Sequence, residues 1–349
     1  MSDKKSIVSI IIPHWNNVDI LSECLESISS TDFDSVETIV VDNASTDNSV
    51  ASVRFNYPDV KLIENEKNYG YAGGCNIGAE AAIGNYLIFL NNDTVQEKDW
   101  ISNLIKTINS DDKIAAVQPK ILNYYDRNVF DYAGGAGGHM DIYCFPFARG
   151  RIFSFQEDDE GQYNNKEKCF WSSGTCFMVR RELFQKAGGF DEGFFAHMEE
   201  IDLCWRLYAM GFEVWVEPDS VVYHKNALTL PMHSHKKYYL NHRNSLFMVS
   251  SNYSFLLTIY LLPIRIFLEI VAFFYSIYKK DWKHMYAIIK ALFWLSTHPH
   301  LILKKRKQIK SIKIKNDKNI IKNMFNGSIV IKYYLMGKKT YGEISSKAL

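Results

Sequence analysis

From Ser6 to Val117 the chain alternates short β-branched apolar runs with stretches of helical periodicity. That alternation restricts the fold more than any other feature, because strands separated by helices of this length form βαβ units on a largely parallel sheet. Ser6–Ile12 reads SIVSIII and stops at Pro13, a strand buried on both faces. Val18–Ser29 places Ile20, Leu21, Cys24, Leu25 and Ile28 on one helical stripe, with Asn17 or Asp19 available to cap it. Further strands are expected at Val36–Val41, Val60–Glu64, Tyr86–Leu90 and Ile114–Val117, and helices at Gly73–Gly84 and Trp100–Asn109. The expected fold class is α/β, a doubly wound, mostly parallel, Rossmann-like sheet.

The pattern weakens from Arg127 to Asn165, where AGGAGG (133–138) and EDDEG (157–161) mark loops. Helical periodicity returns at Arg181–Ala187 and Glu199–Met210, and Phe212–Glu217 and Ser220–Tyr223 read as strands. After Tyr253 the character changes. Residues 254–278 and 285–303 are strongly apolar but carry Arg265, Glu269 and Lys290, and a run of lysines follows. The expected division is a catalytic domain over 1–250 and a helical, basic, membrane-associated region over 251–349.

Charge is divided in the same way. Residues 1–278 hold 23 basic and 36 acidic side chains, and residues 279–349 hold 17 basic and 3 acidic, so a net charge of +1 conceals a front of −13 and a tail of +14. The front repels a nucleic-acid backbone, while the tail attracts an anionic surface. No nucleic-acid recognition motif accompanies it. Hydrophobic residues at 47% and charged residues at 23% exclude general disorder. The six cysteines show no clustered spacing and are expected as reduced core residues. The N-terminal apolar run is too short for a secretion signal, which places the expected workplace on the cytoplasmic side.

Polar motifs fall where strands end, the place where open α/β sheets bind ligands. Asp42-Asn43-Ala44-Ser45-Thr46-Asp47 follows one strand; it suits hydrogen bonding to a base or ribose, and equally a turn with a helix cap. Asn68 to Gly78 (NYGYAGGCNIG) is glycine-rich ahead of a helix, as a phosphate cradle or a tight loop. It is not GxGxxG, and no acidic strand end follows at the dinucleotide spacing, so NAD is disfavoured. Asn91-Asn92-Asp93 offers oxygen ligands to a hard cation bridging a diphosphate, or a β-turn. Glu199, Glu200 and Asp202 open a helix; three carboxylates exceed what capping needs, and their repulsion raises a pKa toward that of a useful base. Asp202 and Arg206 are an i, i+4 pair. His224 closes a strand, as a structural histidine or a metal ligand.

In this order, IIPHWNN, VVDNASTD, NYGYAGGCNIG, LNNDT, SGTCFMVRRELFQKAGGFDEGFF and EEIDLCWR resemble the inverting family 2 glycosyltransferases of the GT-A fold, over about residues 6–250. LNNDT and NYGYAGGCN are most similar to the rhamnosyltransferase-like branch, which makes bacterial surface polysaccharides. The resemblance implies that Pro13, His14, Asn16, Asp42, Asn43, Asn76 and Asn92 face the donor nucleotide. Asp93 and His224 would hold Mg²⁺ or Mn²⁺, with Asn91 in place of the family's first aspartate. Ser173 and Gly174 would border the acceptor, supported by Glu199, Asp202 and Arg206. Glu200 would be the base, a glutamate where the family has aspartate.

The function implied is transfer of a sugar, rhamnose from dTDP-rhamnose, to a saccharide or lipid-linked saccharide. The alternatives are the same fold using a UDP- or GDP-sugar, or a non-catalytic nucleotide-sugar-binding protein. For the tail, a single span is awkward, since it would hold Arg265 in the bilayer and leave the catalytic domain outside. Amphipathic helices lying on the anionic inner leaflet, with Lys304–Lys307 on lipid, are the expectation, and a membrane hairpin or plain packing on the catalytic domain are the alternatives.

Overall fold

The computed structural model describes residues 8–226 and 234–345. Ser6 and Ile7 of the expected first strand lie outside them. The N-terminal half runs β1 (Val8–His14), α1 (Val18–Ser29), β2 (Val36–Asp42), α2 (Ser49–Asn56), β3 (Lys61–Glu64), α3 (Gly70–Ala81), β4 (Tyr86–Leu90), β5 (Thr94–Gln96), α4 (Trp100–Ile108) and β6 (Ile114–Asn123). Then come β7 (Gly138–Met140), β8 (Pro146–Ala148), β9 (Arg151–Ile152), β10 (Phe155–Gln156), β11 (Glu167–Cys169), β12 (Cys176–Arg180), α5 (Arg181–Ala187), α6 (Glu199–Ala209) and β13 (Glu213–His224). The remainder is helical: α7 (His235–Asn252), α8 (Phe255–Tyr278), α9 (Trp282–Thr297), α10 (Pro299–Ile312), α11 (Asp317–Ile321) and α12 (Tyr341–Ser345).

Nine strands form the main sheet, in the order β11-β13-β6-β12-β4-β1-β2-β3 with β5 beside β13. β3, β2, β1 and β4 are parallel, as are β6 and β13. β12 runs antiparallel between β4 and β6. One face is covered by α1 and α4 through Leu21, Cys24, Leu25, Trp100 and Leu104. The other is covered by α3, α5 and α6 through Ala72, Cys75, Leu183, Phe184 and Trp205. This is the doubly wound architecture the alternation predicts. All six cysteines are buried and free.

Several boundaries differ from expectation. Helix α3 begins at Gly70 rather than Gly73, because Gly70 takes φ +75° and donates its N–H to Asn68 Oδ1 at 2.8 Å. Its Gly78 allows close packing on β1, since a Cβ there would lie 2.4 Å from Ile11 Cγ2. The two strands expected at 212–223 are one strand, β13, whose register to β6 shifts between Glu217 and Val221. The weak region contains a second, four-stranded sheet of β7 to β10.

The C-terminal helices pack onto the sheet domain rather than standing apart, and position 250 falls within the last turns of α7. Lys305 on α10, expected on lipid, points inward. It is buried and paired with Asp191 at 2.7 Å and Asp202 at 2.8 Å. Arg265 and Glu269 also face inward, joined at 2.7 Å, with His242 of α7 on the second carboxylate oxygen at 2.7 Å. α8 is long and apolar enough to cross a membrane, yet only 22% of its most apolar window is buried within the protein.

Candidate active site

The sheet gathers the polar motifs at one edge because parallel strands all end there. His14 and Asp42 are register partners at the ends of β1 and β2. His14 is buried; its Nδ1 lies 2.8 Å from Asn92 Nδ2, and its Nε2 has no partner. Burial lowers the pKa of His14, against the pull of Asp42 and Asp47. Asp42 uses Oδ2 to accept from the Ser45 N–H at 3.0 Å, and its buried Oδ1 is left without a partner. Asn16, at φ 58°, accepts the Thr46 N–H on its side chain, tying the loop after β1 to the loop after β2. Asn43 bridges to Gly70 O and Asn65, behind Pro13 and Gly74. At the carboxyl ends of β1 and β2 these residues leave unspent hydrogen-bonding capacity at His14 Nε2 and Asp42 Oδ1.

Asp93 and His224 are brought together by pairing of β5 with the end of β13, where Thr94 faces His224. His224 Nε2 lies 3.2 Å from Asp93 Oδ1, an oxygen that is buried without a hydrogen bond. On its other side, His224 Nδ1 is held at 2.9 Å by Asp131 Oδ1. Burial opposes the charge on His224, but the Asp93 and Asp131 carboxylates outweigh it and push the imidazole up to about 10. A carboxylate that orients a histidine through Nδ1, leaving Nε2 facing another carboxylate, fits the habit of divalent-cation sites. Asp93 Oδ1, whose one close approach among the described residues is this 3.2 Å contact to Nε2, fits the same group. Among the described residues no cluster of three or more ligating side chains exists, so a cation here would complete its shell from substrate oxygens.

The opposite wall is the start of α6. Met198, its N-cap, and the preceding Phe195 and His197 all have positive φ, 74°, 64° and 67°. Strain of this kind in non-glycine residues persists only where surroundings enforce it, often at active sites. Here α7 enforces it. Asn244 donates to the carbonyls of Phe194, Ala196 and His197 at 3.3, 3.0 and 2.6 Å, and Arg243 donates to Gly193 and Phe194 at 2.8 Å. Glu199 is buried, Glu200 is half-buried, and each has one Oε2 sealed from solvent without a partner. Burial raises both carboxyls. It pushes Glu200 up to about 7, and burial together with Glu200's charge carries Glu199 well above the carboxylate range.

Tyr71 closes the gap between the walls. Its hydroxyl donates to Gly174 O at 2.6 Å, and the charges of Glu199 and Glu200 add to burial in raising it. Thr175 O in turn accepts from the Asn91 N–H at 2.9 Å. The Asn91–Asp93 turn, Gly174, Tyr71 and the glutamate pair are therefore linked in one network.

Other expected residues lie behind it. Asn76 is committed to Phe190 in both directions, and Ser173 to Gln118 and Ala133. Asp202 and Arg206 are buried and form a hub with Lys305 and Asn252 that fastens α6 to α10 and α7. Three contributors were not singled out from sequence: Asp131, Tyr71 and Asn244. A carboxylate just before AGG and an aromatic inside a glycine-rich loop are the only signals for the first two; Asn244 lies on a helix whose sequence carries no distinctive motif.

The sequence profile of glycosyl transferase family 2 matches residues 9–188. The N-acetylglucosaminyl-diphospho-decaprenol L-rhamnosyltransferase of Mycobacterium tuberculosis is 28% identical over 221 residues, 59% of this chain and 72% of that protein. The O-antigen biosynthesis protein RfbC of Myxococcus xanthus is 29% identical over 230 residues, 63% of this chain but only 17% of RfbC, so the chain spans a small part of that relative's length. Among solved structures, GalNAc-T7 with UDP, GalNAc and Mn²⁺ superposes at TM-score 0.57 with 18% identity, over 71% of this chain and 51% of its own. The mannosyltransferase PcManGT of Pyrobaculum calidifontis, with GDP-Man and Mn²⁺, gives 0.52 and 17%, over 96% and 89%. At such identities the likeness speaks for the fold.

Proposed function

The chain belongs to glycosyl transferase family 2, and from that premise we propose an inverting transferase that moves rhamnose from dTDP-rhamnose to a saccharide or lipid-linked saccharide acceptor at the cytoplasmic face of the membrane. The observation that carries the reading is a raised Glu200, with its Oε2 unpartnered, linked through Tyr71, Gly174, Thr175 and Asn91 to the turn that bears Asp93 beside His224.

The chemistry follows from the two walls. An acceptor hydroxyl must lose its proton as it attacks the anomeric carbon, and Glu200 is the group available to take it. Its partner Glu199, held protonated by burial, leaves Glu200 to carry the negative charge. Attack opposite the leaving diphosphate is a single displacement through an oxocarbenium-like transition state, so the anomeric centre inverts and no covalent nucleophile is needed. Asp42 Oδ1 and His14 Nε2 supply hydrogen bonds to the nucleoside. Asp93 and His224 would hold Mg²⁺ or Mn²⁺, which when bound supplies positive charge against the leaving diphosphate. Asp131 fixes the imidazole for that task. Rhamnose is supported by the Mycobacterium tuberculosis relative, and a divalent metal by the Mn²⁺ in the two superposed structures.

The test is release of nucleoside diphosphate from a panel of nucleotide sugars with and without Mn²⁺. Metal-dependent release from dTDP-rhamnose, lost in Glu200→Gln, is expected. Release from a UDP- or GDP-sugar instead would replace the donor, and nucleotide binding with no turnover for any donor and acceptor would favour a non-catalytic binding protein.

A further inference from the structure

Beside the Asp131–His224 pair lies a second polar feature that the mechanism above leaves unused. Arg151 on β9 is only 8% exposed, and its Nε is sealed without a hydrogen-bond partner. Its guanidinium sits 4.7 Å from the centre of the Tyr132 ring. Lys237, in the first turn of α7, points its Nζ at the same ring from 5.5 Å. Neither cation enters an ion pair among the described residues. Asp131 is the carboxylate both of them feel, and it is already engaged with His224 and the Ala133 N–H. The segment 227–233 that precedes α7 contains no acidic residue.

The place matters as much as the charge. Tyr132 follows Asp131 directly, so the pair adjoins the Asp93–His224 face. The same turn of α7 reaches the other wall, where Lys236 lies 4.4 Å from the Phe195 ring in the strained loop before Glu199. Both cations thus lie near Asp131, which holds His224, and Lys237 shares its turn of α7 with Lys236, which contacts the loop before Glu199. Two like charges over one aromatic ring, with no ion-pair partner among the described residues, repel each other, and an incoming oxyanion relieves that repulsion. Guanidinium and ammonium donors together suit the tetrahedral oxygens of phosphate.

We propose that Arg151 and Lys237 form a phosphate subsite that binds a phosphoryl group of one of the two substrates, either the donor's diphosphate or a phosphate on the acceptor itself. This rests on the glycosyltransferase reading. The shared chemistry is a phosphate oxyanion, and the two sources separate by experiment.

The probe is inorganic pyrophosphate, titrated calorimetrically into the full-length protein without metal. Arg151→Gln and Lys237→Gln are each expected to weaken its binding at least tenfold and to flatten its salt dependence. Lys237 is half-buried on a helix surface, so its variant decides the matter if Arg151→Gln does not fold. The titration is then repeated with saturating dTDP. Loss of the pyrophosphate signal assigns the subsite to the donor's diphosphate, and its persistence assigns it to the acceptor's phosphate. If dTDP binds but pyrophosphate does not, or if the variants bind pyrophosphate like the wild type, the subsite is overturned while the transferase reading stands. If no nucleotide binds yet pyrophosphate binding is lost in the variants, the subsite stands and the transferase reading falls.

Discussion

Glu200 sits where burial disfavours its charged form, yet a base must be charged to accept a proton. Burial pushes its pKa up to about 7, so the active form accumulates as pH rises and turnover should climb to about pH 7 and then level off. A rate profile flat from about pH 5.5 to 8.5 would remove Glu200 from that role. Glu200→Gln should lower kcat by a factor of about 10² or more, at the scale of general base catalysis, with dTDP affinity retained. Glu199 has a different consequence. Its carboxyl is raised by burial and by Glu200, so the fold retains a proton that the unfolded chain releases. Its cost to stability is absent below the unfolded pKa and grows as pH rises above it. Glu199→Gln should therefore raise stability by about 1–3 kcal/mol near pH 8 and leave it unchanged near pH 4, read by thermal melts at both. Equal shifts at the two pH values would contradict a buried protonated carboxyl. Strand-end residues such as Asp42, Asp93 and His224 were legible because a local apolar run fixes where its own strand stops. Asp131 was not, since its worth depends on a histidine 93 residues later reaching it through β13 pairing.

At the scale of elements, α7 has the decisive position. It holds the carbonyls of Phe194, Ala196 and His197 through Asn244 and carries Lys237 to the Tyr132 ring beside Asp131. Asn244→Ala removes the three bonds that keep the strained loop in place, so kcat should fall by about 10² while dTDP affinity stays within a few-fold, the signature of a displaced base. An equal loss in both would mean that the whole cleft had collapsed. The same helix meets α8 through Glu269, buried between Arg265 and His242. Glu269→Gln should cost about 3–5 kcal/mol in chemical denaturation, because it leaves the buried Arg265 without its charge partner, whereas the double change Glu269→Leu with Arg265→Met should recover most of it. Elements with strong periodicity, α1 and β4, were readable to the residue, because each carries its own apolar stripe or run. Short antiparallel strands were not. β12 is a short run that passes straight into α5, and only its insertion between β4 and β6 makes it a central strand. α2 has no apolar stripe to announce it; it is fastened instead by Asp47, which accepts from the Ser49 N–H at 3.1 Å.

Over the whole molecule, the charge split acquires a geometry. The acidic part carries the site and ends in α8, whose outer face is apolar, and the basic tail begins directly after that helix. Leu256, Phe267, Phe274 and Tyr278 on α8, with Phe293 on α9, are all more than 60% exposed, a larger apolar display than single surface residues explain. The inner face of α8 is occupied by Arg265 and Glu269, so this helix already has a partner on one side and a bare apolar surface on the other. That arrangement supports docking in the plane of an anionic leaflet, with exposed lysines such as Lys304 and Lys307 at the headgroups and Lys305 reserved for the hub at Asp202. On such a leaflet the acidic part would be turned away from the surface that attracts the tail. If apolar insertion does most of the binding, the full-length protein should sediment with anionic vesicles and remain partly bound in about 0.5 M salt, where the Debye length falls to about 4 Å. Phe267→Glu with Phe274→Glu leaves the tail lysines in place, yet should reduce vesicle binding at least tenfold while dTDP binding is retained. Undiminished sedimentation of this variant would assign the attachment to the tail charges alone and leave the apolar face of α8 for another protein surface.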